Sequence, residues 1–169
     1  MIIRPAEALD AAQMAHLLNS IIAIGGTTAH LKPFDKTRMQ TSFINPPLGL
    51  CCFLMEDHGR ILGFQNLEWS TNDIKNPADW VKIFSFVDTN QHERGIWKAL
   101  FHETCKKAGS AKVSFIQAST RADNEKGLRF YTSLGFFDYE IQINTPLSDE
   151  TLVDWIIKKF QFSALFWYP

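Results

Sequence analysis

Residues Val87 to Leu100 read Val-Asp-Thr-Asn-Gln-His-Glu-Arg-Gly-Ile-Trp-Lys-Ala-Leu: the end of an apolar run, a short polar turn and the start of a helix. A helix N-terminus leaves backbone N–H groups unpaired and carries partial positive charge, so such a junction can hold a phosphate or pyrophosphate. A structural crossover without any ligand has the same pattern. In a second segment, Asn124 can cap a helix on which Gly127, Phe130, Tyr131 and Leu134 recur at i, i+3, i+4 and i+7, with Gly135 as its stop. That spacing puts Tyr131 on the inner face, where a core aromatic is the plainest reading. Cys51, Cys52 and Cys105 form no CxxC pair and no zinc-type cluster with histidine, so they read as buried thiols and no metal is implied. His30, His58 and His102 have no partner at motif spacing and read as surface or internally satisfied side chains.

The elements that position these residues follow from periodicity. Ile2-Ile3-Arg4 is a short strand, and Asp10 can cap a helix carrying Met14, Leu17, Leu18, Ile21 and Ile22, which Gly25-Gly26 ends. A loop and a short helix around Lys36 to Phe43 come next. Leu50–Met55 and Arg60–Trp69 read as a hairpin about Glu56-Asp57-His58-Gly59, and Trp80–Val87 as a strand covered on both faces. A helix from Gly95 to about Lys107 carries Trp97, Phe101, Cys105 and Ala108 in one stripe. Lys112–Ala118 is a strand, the Asn124 helix follows, and Phe136–Ile143 is another strand. Ser148 predicts a further helix to Phe160, acidic at its start (Asp149, Glu150) and basic at its end (Lys158, Lys159), and Phe162–Tyr168 a last strand. No repeat or linker divides the chain, so residues 1–169 read as a single α/β (α+β) domain with a mixed sheet.

Composition narrows the function classes. Seventeen Lys+Arg against 18 Asp+Glu, net charge -1, with no basic run, argue against a nucleic-acid binder working through the phosphate backbone. No apolar stretch approaches the roughly 18 residues of a membrane span, and the start lacks a signal-peptide pattern, so a cytoplasmic, membrane-free protein is expected. The aromatic share of 13% is high, and the two segments above hold several of those rings.

The segment Asn124-Glu125-Lys126-Gly127-Leu128-Arg129-Phe130-Tyr131-Thr132-Ser133-Leu134-Gly135-Phe136 resembles the second signature of the GNAT superfamily of N-acetyltransferases, and the Val87–Leu100 junction precedes it at the distance that family shows. The resemblance covers Ile2 to about Ile143. It implies a mostly antiparallel twisted sheet flanked by helices on both faces, splayed between the fourth and fifth strands, with acetyl-CoA as co-substrate in the splay. It further implies that Phe86, Val87 and Asp88 pair with the pantetheine arm. The amides of His92, Glu93, Arg94, Gly95, Ile96, Trp97 and Lys98 would meet the pyrophosphate, and Asn124 the cofactor arm. Tyr131 would protonate the departing thiolate, as a phenol with pKa about 10 can. The acceptor implied is a primary amine of a small molecule or peptide.

Three positions depart from the family pattern: His92 stands where Arg or Gln is usual, Glu93 where a glycine is common, and Trp97 where a small residue is usual. Two readings follow. The turn is shifted and the protein is a working acyltransferase, or the fold is kept as a binding module with weak or no CoA affinity. For the general base, Glu68 in the third strand is the candidate, against a plain strand-end carboxylate. A weaker similarity, to the phosphinothricin acetyltransferase branch, rests on Asn19-Ser20-Ile21-Ile22, Thr27-Thr28-Ala29, Pro33, Asp79-Trp80 and Leu165-Phe166-Trp167. That branch places an acidic residue in the cofactor strand, where this chain has Lys82. Trp155, Ile156 and Phe160 of the predicted last helix can pack on this chain's own core or on a second copy, which would make a homodimer.

Overall fold

A computed structural model describes residues 1–70, 78–90 and 95–162. The hairpin at its centre joins β2 (Gly49–Asp57) to β3 (Arg60–Trp69), with Asp57 opposite Arg60. His58 (φ 49°) and Gly59 (φ 77°) both take left-handed backbone, the tight-turn geometry whose twist matches that of the flanking strands. β1 (Ile2–Pro5) pairs antiparallel on the outer side of β2, and β4 (Trp80–Val87) pairs antiparallel with β3 from Trp69↔Val81 to Gly63↔Val87. Beyond β4 come β5 (Phe115–Arg121), β7 (Leu152–Gln161) and β6 (Phe137–Pro146), so the described residues form a seven-stranded sheet of order β1-β2-β3-β4-β5-β7-β6.

Among the described residues, four helices cover the two faces. α1 (Ala11–Ile24), and α2 (Lys36–Met39) continuing as a wider turn through Ile44, bury Met14, Leu18, Met39 and Phe43 against Leu54, Phe64 and Phe86. α3 (Ile96–Ser110) and α4 (Glu125–Ser133) lie on the other face. There Ile96 and Leu100 meet Met55 and Val87, while Phe101, Ala108 and Tyr131 meet Val81, Ile83, Ile116 and Ala118. Asp10 immediately precedes α1, but its carboxylate does not cap that helix. It takes two hydrogen bonds of 2.8 Å from Arg4, and Arg4 also reaches Glu56, tying β1, β2 and the helix start together.

The helix expected from Ser148 to Phe160 is a strand instead. β7 lies between β5 and β6 and pairs with both, from Arg121↔Trp155 to Phe115↔Gln161 on one side and from Pro146↔Leu152 to Phe137↔Lys159 on the other. Its acidic start belongs to the β6–β7 turn, where Asp149 accepts from the Thr151 N–H at 3.0 Å and Glu150 has φ 67°. Its basic end is buried: Lys158 is 5% exposed and paired with Asp138 and Thr132, and Lys159 is 6% exposed over the rings of Trp80 and Tyr139. Phe160 packs in this chain's own core against Phe101, Phe136 and Phe162. The strand expected at Phe162–Tyr168 lies, apart from Phe162, outside the described residues.

Candidate active site

β4 and β5 are the parallel neighbours of the sheet, and they stay paired only over Trp80↔Phe115, Val81↔Ile116 and Lys82↔Gln117. Past Lys82, β4 remains held by β3 as far as Val87, and β5 by β7 as far as Arg121. Each is fixed by its outer neighbour while the two part from one another, which opens a V-shaped gap at their C-terminal ends. The Asp88 N–H donates to Leu62 O and the Ser70 N–H to Trp80 O, both at 2.9 Å, so even-numbered residues of β4 turn their backbone groups toward β3. The backbone N–H and C=O of Ser85 and Val87 therefore face the gap. Of the three residues expected to pair with a ligand arm, Val87 is on the open edge, while Phe86 and Asp88 turn their backbone to β3.

The side chains of Phe86 and Asp88 have other partners. Phe86 is 8% exposed among Phe43, Phe64 and His30, and Asp88 accepts from Arg60 at 2.6 Å and from the Asn90 N–H at 2.9 Å. Of the turn beyond, His92, Glu93 and Arg94 lie outside the described residues. Gly95 has φ 69°, a left-handed backbone that leads into α3, and Ile96 is fully buried. The first helical bond runs from the Ala99 N–H to Gly95 O at 3.1 Å, so α3 points its N-terminal end at this turn. Lys98 is exposed there. The Trp97 ring packs on Phe130 of α4 at a tilt of 45°, with centroids 4.7 Å apart, so the indole links the two helices.

Tyr131 is 8% exposed, its ring packed between Phe130 and Phe136. Its hydroxyl donates to Ser85 Oγ at 3.2 Å, and the Gln65 side-chain amide donates to the same oxygen at 2.7 Å. Burial pushes the phenol up to about 12, against the pull of the Ser85 hydrogen bond, so it is protonated at neutral pH. Asn124 caps α4: its Oδ1 accepts from the Gly127 N–H at 3.0 Å, and its Nδ2 reaches Thr27 O at 3.5 Å. A Cβ on Gly127 would stand 2.7 Å from Asn124 Nδ2 and 3.1 Å from a Thr120 methyl, which explains the small residue three places after the cap.

Glu68 is half-buried and stands opposite Lys82, which in turn stands opposite Gln117 on the last rung before the gap. Asn66 Nδ2 donates to its carboxylate at 3.0 Å. Desolvation dominates and pushes the Glu68 carboxyl above the usual carboxylate range, with Asn66 and Lys82 acting in the opposite direction. Glu68 and Lys82 occupy the α1 side of the sheet, whereas Ser85 and Tyr131 occupy the α3–α4 side. A cleft of about 370 Å³ adjoins the gap, lined by Ala29 after α1, Ser119 of β5, Gln142 and Thr145 of β6, and Trp155 and Ile157 of β7. None of its described lining residues is charged.

Ser85 and Gln65 escaped the sequence reading, although Ser85 is the one hydroxyl in an otherwise apolar stretch of β4, a signal that was there to find. Among the described residues, no three His, Cys, Asp or Glu side chains converge in a way that could hold a metal ion.

Solved structures resemble the whole of this architecture. An N-acetyltransferase from Staphylococcus aureus Mu50 superposes with TM-score 0.81 at 16% identity, covering 95% of this chain and 97% of the other. A candidate phosphinothricin N-acetyltransferase gives 0.81 at 18% identity, covering 96% and 98%. The yncA protein of Salmonella typhimurium, solved with its cofactor acetyl-CoA, gives 0.78 at 15% identity, covering 96% and 94%. No curated protein matches in sequence. The family model described as acetyltransferase (GNAT) family matches residues 18–136, from α1 through the Asn124–Phe136 segment that carries the cap, the phenol and the helix stop. Gap, helix terminus and signature thus fall within one matched stretch, and the chain belongs to the GNAT acetyltransferase family.

Proposed function

We propose that the protein transfers the acetyl group of acetyl-CoA to a primary amine of a small molecule or peptide, by direct attack with both substrates bound. The observation that carries this reading is the open edge of β4, with the backbone of Ser85 and Val87 facing the gap beside a buried, protonated phenol. The residues present fit acetyl-CoA. Ser85 and Val87 can pair with the amides of the pantetheine arm, and the N-terminal end of α3 from Gly95 to Lys98 can meet the pyrophosphate. When bound, acetyl-CoA supplies an activated thioester. The contact of Trp97 with Phe130 supports the working-enzyme reading, because the indole is engaged in packing between α3 and α4.

The chain's own residues then divide the proton work. Glu68, on the α1 side, takes a proton from the incoming ammonium, and its raised pKa makes it a better base than an ordinary carboxylate. Tyr131, on the other side, delivers its proton to the departing sulfur. The uncharged cleft lined by Trp155 and Ser119 receives the body of the acceptor, which favours amines without a carboxylate to pair. A panel of primary amines tests this reading: aralkylamines, polyamines, amino acids and peptides with free N-termini, each incubated with acetyl-CoA while released thiol is followed. Acetylated amine identified by mass spectrometry supports it. No thiol release with any amine would leave the chain a binding module of the same fold.

A further inference from the structure

We propose that Ser85 is a positioning residue that aims the Tyr131 hydroxyl at the open edge of β4 and turns to donate to it once its proton has gone. The inference rests on the acetyl-transfer reading above. One residue joins two parts of the site: the backbone of Ser85 faces the gap, and its side chain holds the phenol. A thioester lying against the backbone of Ser85 would therefore have the phenol held beside it. Ser85 Oγ accepts both the Tyr131 O–H and the Gln65 N–H, so its own O–H is the donor that remains. Gln65 is fully buried, which fixes the serine from behind.

The balance of the step is simple. The amine nitrogen, relieved of its first proton by Glu68, bonds to the acetyl carbon, the C–S bond breaks with its electron pair on sulfur, the Tyr131 proton moves to that sulfur, and the second nitrogen proton passes to solvent as the amide forms. Tyr131 is then a phenolate in an apolar enclosure of Phe130 and Phe136, where an unpaired charge is costly. Rotation of the Ser85 hydroxyl turns an acceptor into a donor to the phenolate, with Gln65 still donating to the same oxygen. After product leaves, the phenolate takes a proton from water, and Glu68 returns its proton to solvent. Burial of the phenol and the opposing effect of the serine are consistent with this use.

Two measurements test the proposal. In protein labelled with 13C at tyrosine Cζ, the signal lost in Tyr131→Phe identifies Tyr131; Ser85→Ala should move that signal, and Ser85→Thr, which keeps the hydroxyl, should restore it. With the fastest amine of the panel, Ser85→Ala should lower kcat about ten-fold, a fraction of the 10²–10⁴-fold worth of a general acid. KM for acetyl-CoA should stay unchanged. Placed on Tyr131→Phe, the same substitution should change kcat less than about two-fold, since its effect passes through the phenol. An unmoved Cζ signal, or an equal loss of kcat in both backgrounds, would overturn the proposal. If Tyr131→Phe alone leaves kcat intact, the acid role itself falls, an outcome distinct from an additive loss at Ser85.

Discussion

Tyr131 and Glu68 stand on opposite faces of the sheet; burial holds the phenol protonated and pushes the carboxyl above the usual carboxylate range. Tyr131→Phe should lower kcat on the order of 100-fold while leaving acetyl-CoA affinity unchanged, because the ring packing survives and only the proton is lost. Steady-state kinetics beside a binding titration check this. For Glu68 the sign runs through burial. Its folded pKa is raised, so the stability this carboxyl contributes is complete below the ordinary carboxylate range and is lost as pH rises through the folded value. Glu68→Gln should therefore melt higher than the parent at pH 7, with the difference vanishing near pH 4, and yet turn over far more slowly. An acid limb of kcat/KM that lies above the usual carboxylate range, and is absent from the Gln variant, would identify the base. Trp97→Ala should cost roughly 2 kcal/mol, less than a fully buried Trp would, because the half-buried indole packs on Phe130. Denaturant unfolding measures it.

At the scale of elements, the hairpin, β4 and the Asn124 helix were legible from local chemistry: the turn composition of Glu56 to Gly59, an apolar run, a cap with its small residue three places on. β7 was not. Val153, Ile156, Ile157 and Phe160 fall at i, i+3, i+4 and i+7, a helical template, and acidic and basic ends complete the imitation. What makes the segment a strand is pairing with β5 and β6 at long range, together with burial of Lys158 against Asp138 and Thr132 and of Lys159 over the rings of Trp80 and Tyr139. The same reason hid Ser85, whose meaning depends on Gln65 and Tyr131 meeting it from elsewhere. Asp138→Ala should therefore destabilise by about 2 kcal/mol, because Lys158 is left buried with Thr132 alone, and the loss should show in chemical denaturation with unchanged m. Had the segment been a helix, Lys158 would be a solvated end and the substitution nearly neutral.

For the molecule as a whole, the near-zero net charge is compatible with a CoA site built from a strand edge and a helix terminus, since backbone amides need no basic excess. Aromatic residues have found their places: one cluster under α1 and α2 around Phe43 and Phe86, another joining α3, α4 and β7 around Phe101, Phe136 and Phe160. The two clusters lie on opposite faces of the sheet that contains the gap, and β4 contributes to both. No helix among the described residues is long and apolar enough to cross a membrane. Thermal denaturation with and without acetyl-CoA tests most directly whether the gap between β4 and β5 is a cofactor site. At about 100 times the dissociation constant, binding adds roughly 2.7 kcal/mol, a rise on the order of 5 to 10 °C for a chain of this size. That rise with acetyl-CoA and with CoA is the predicted result; an unchanged melting temperature at millimolar concentrations of both would contradict it.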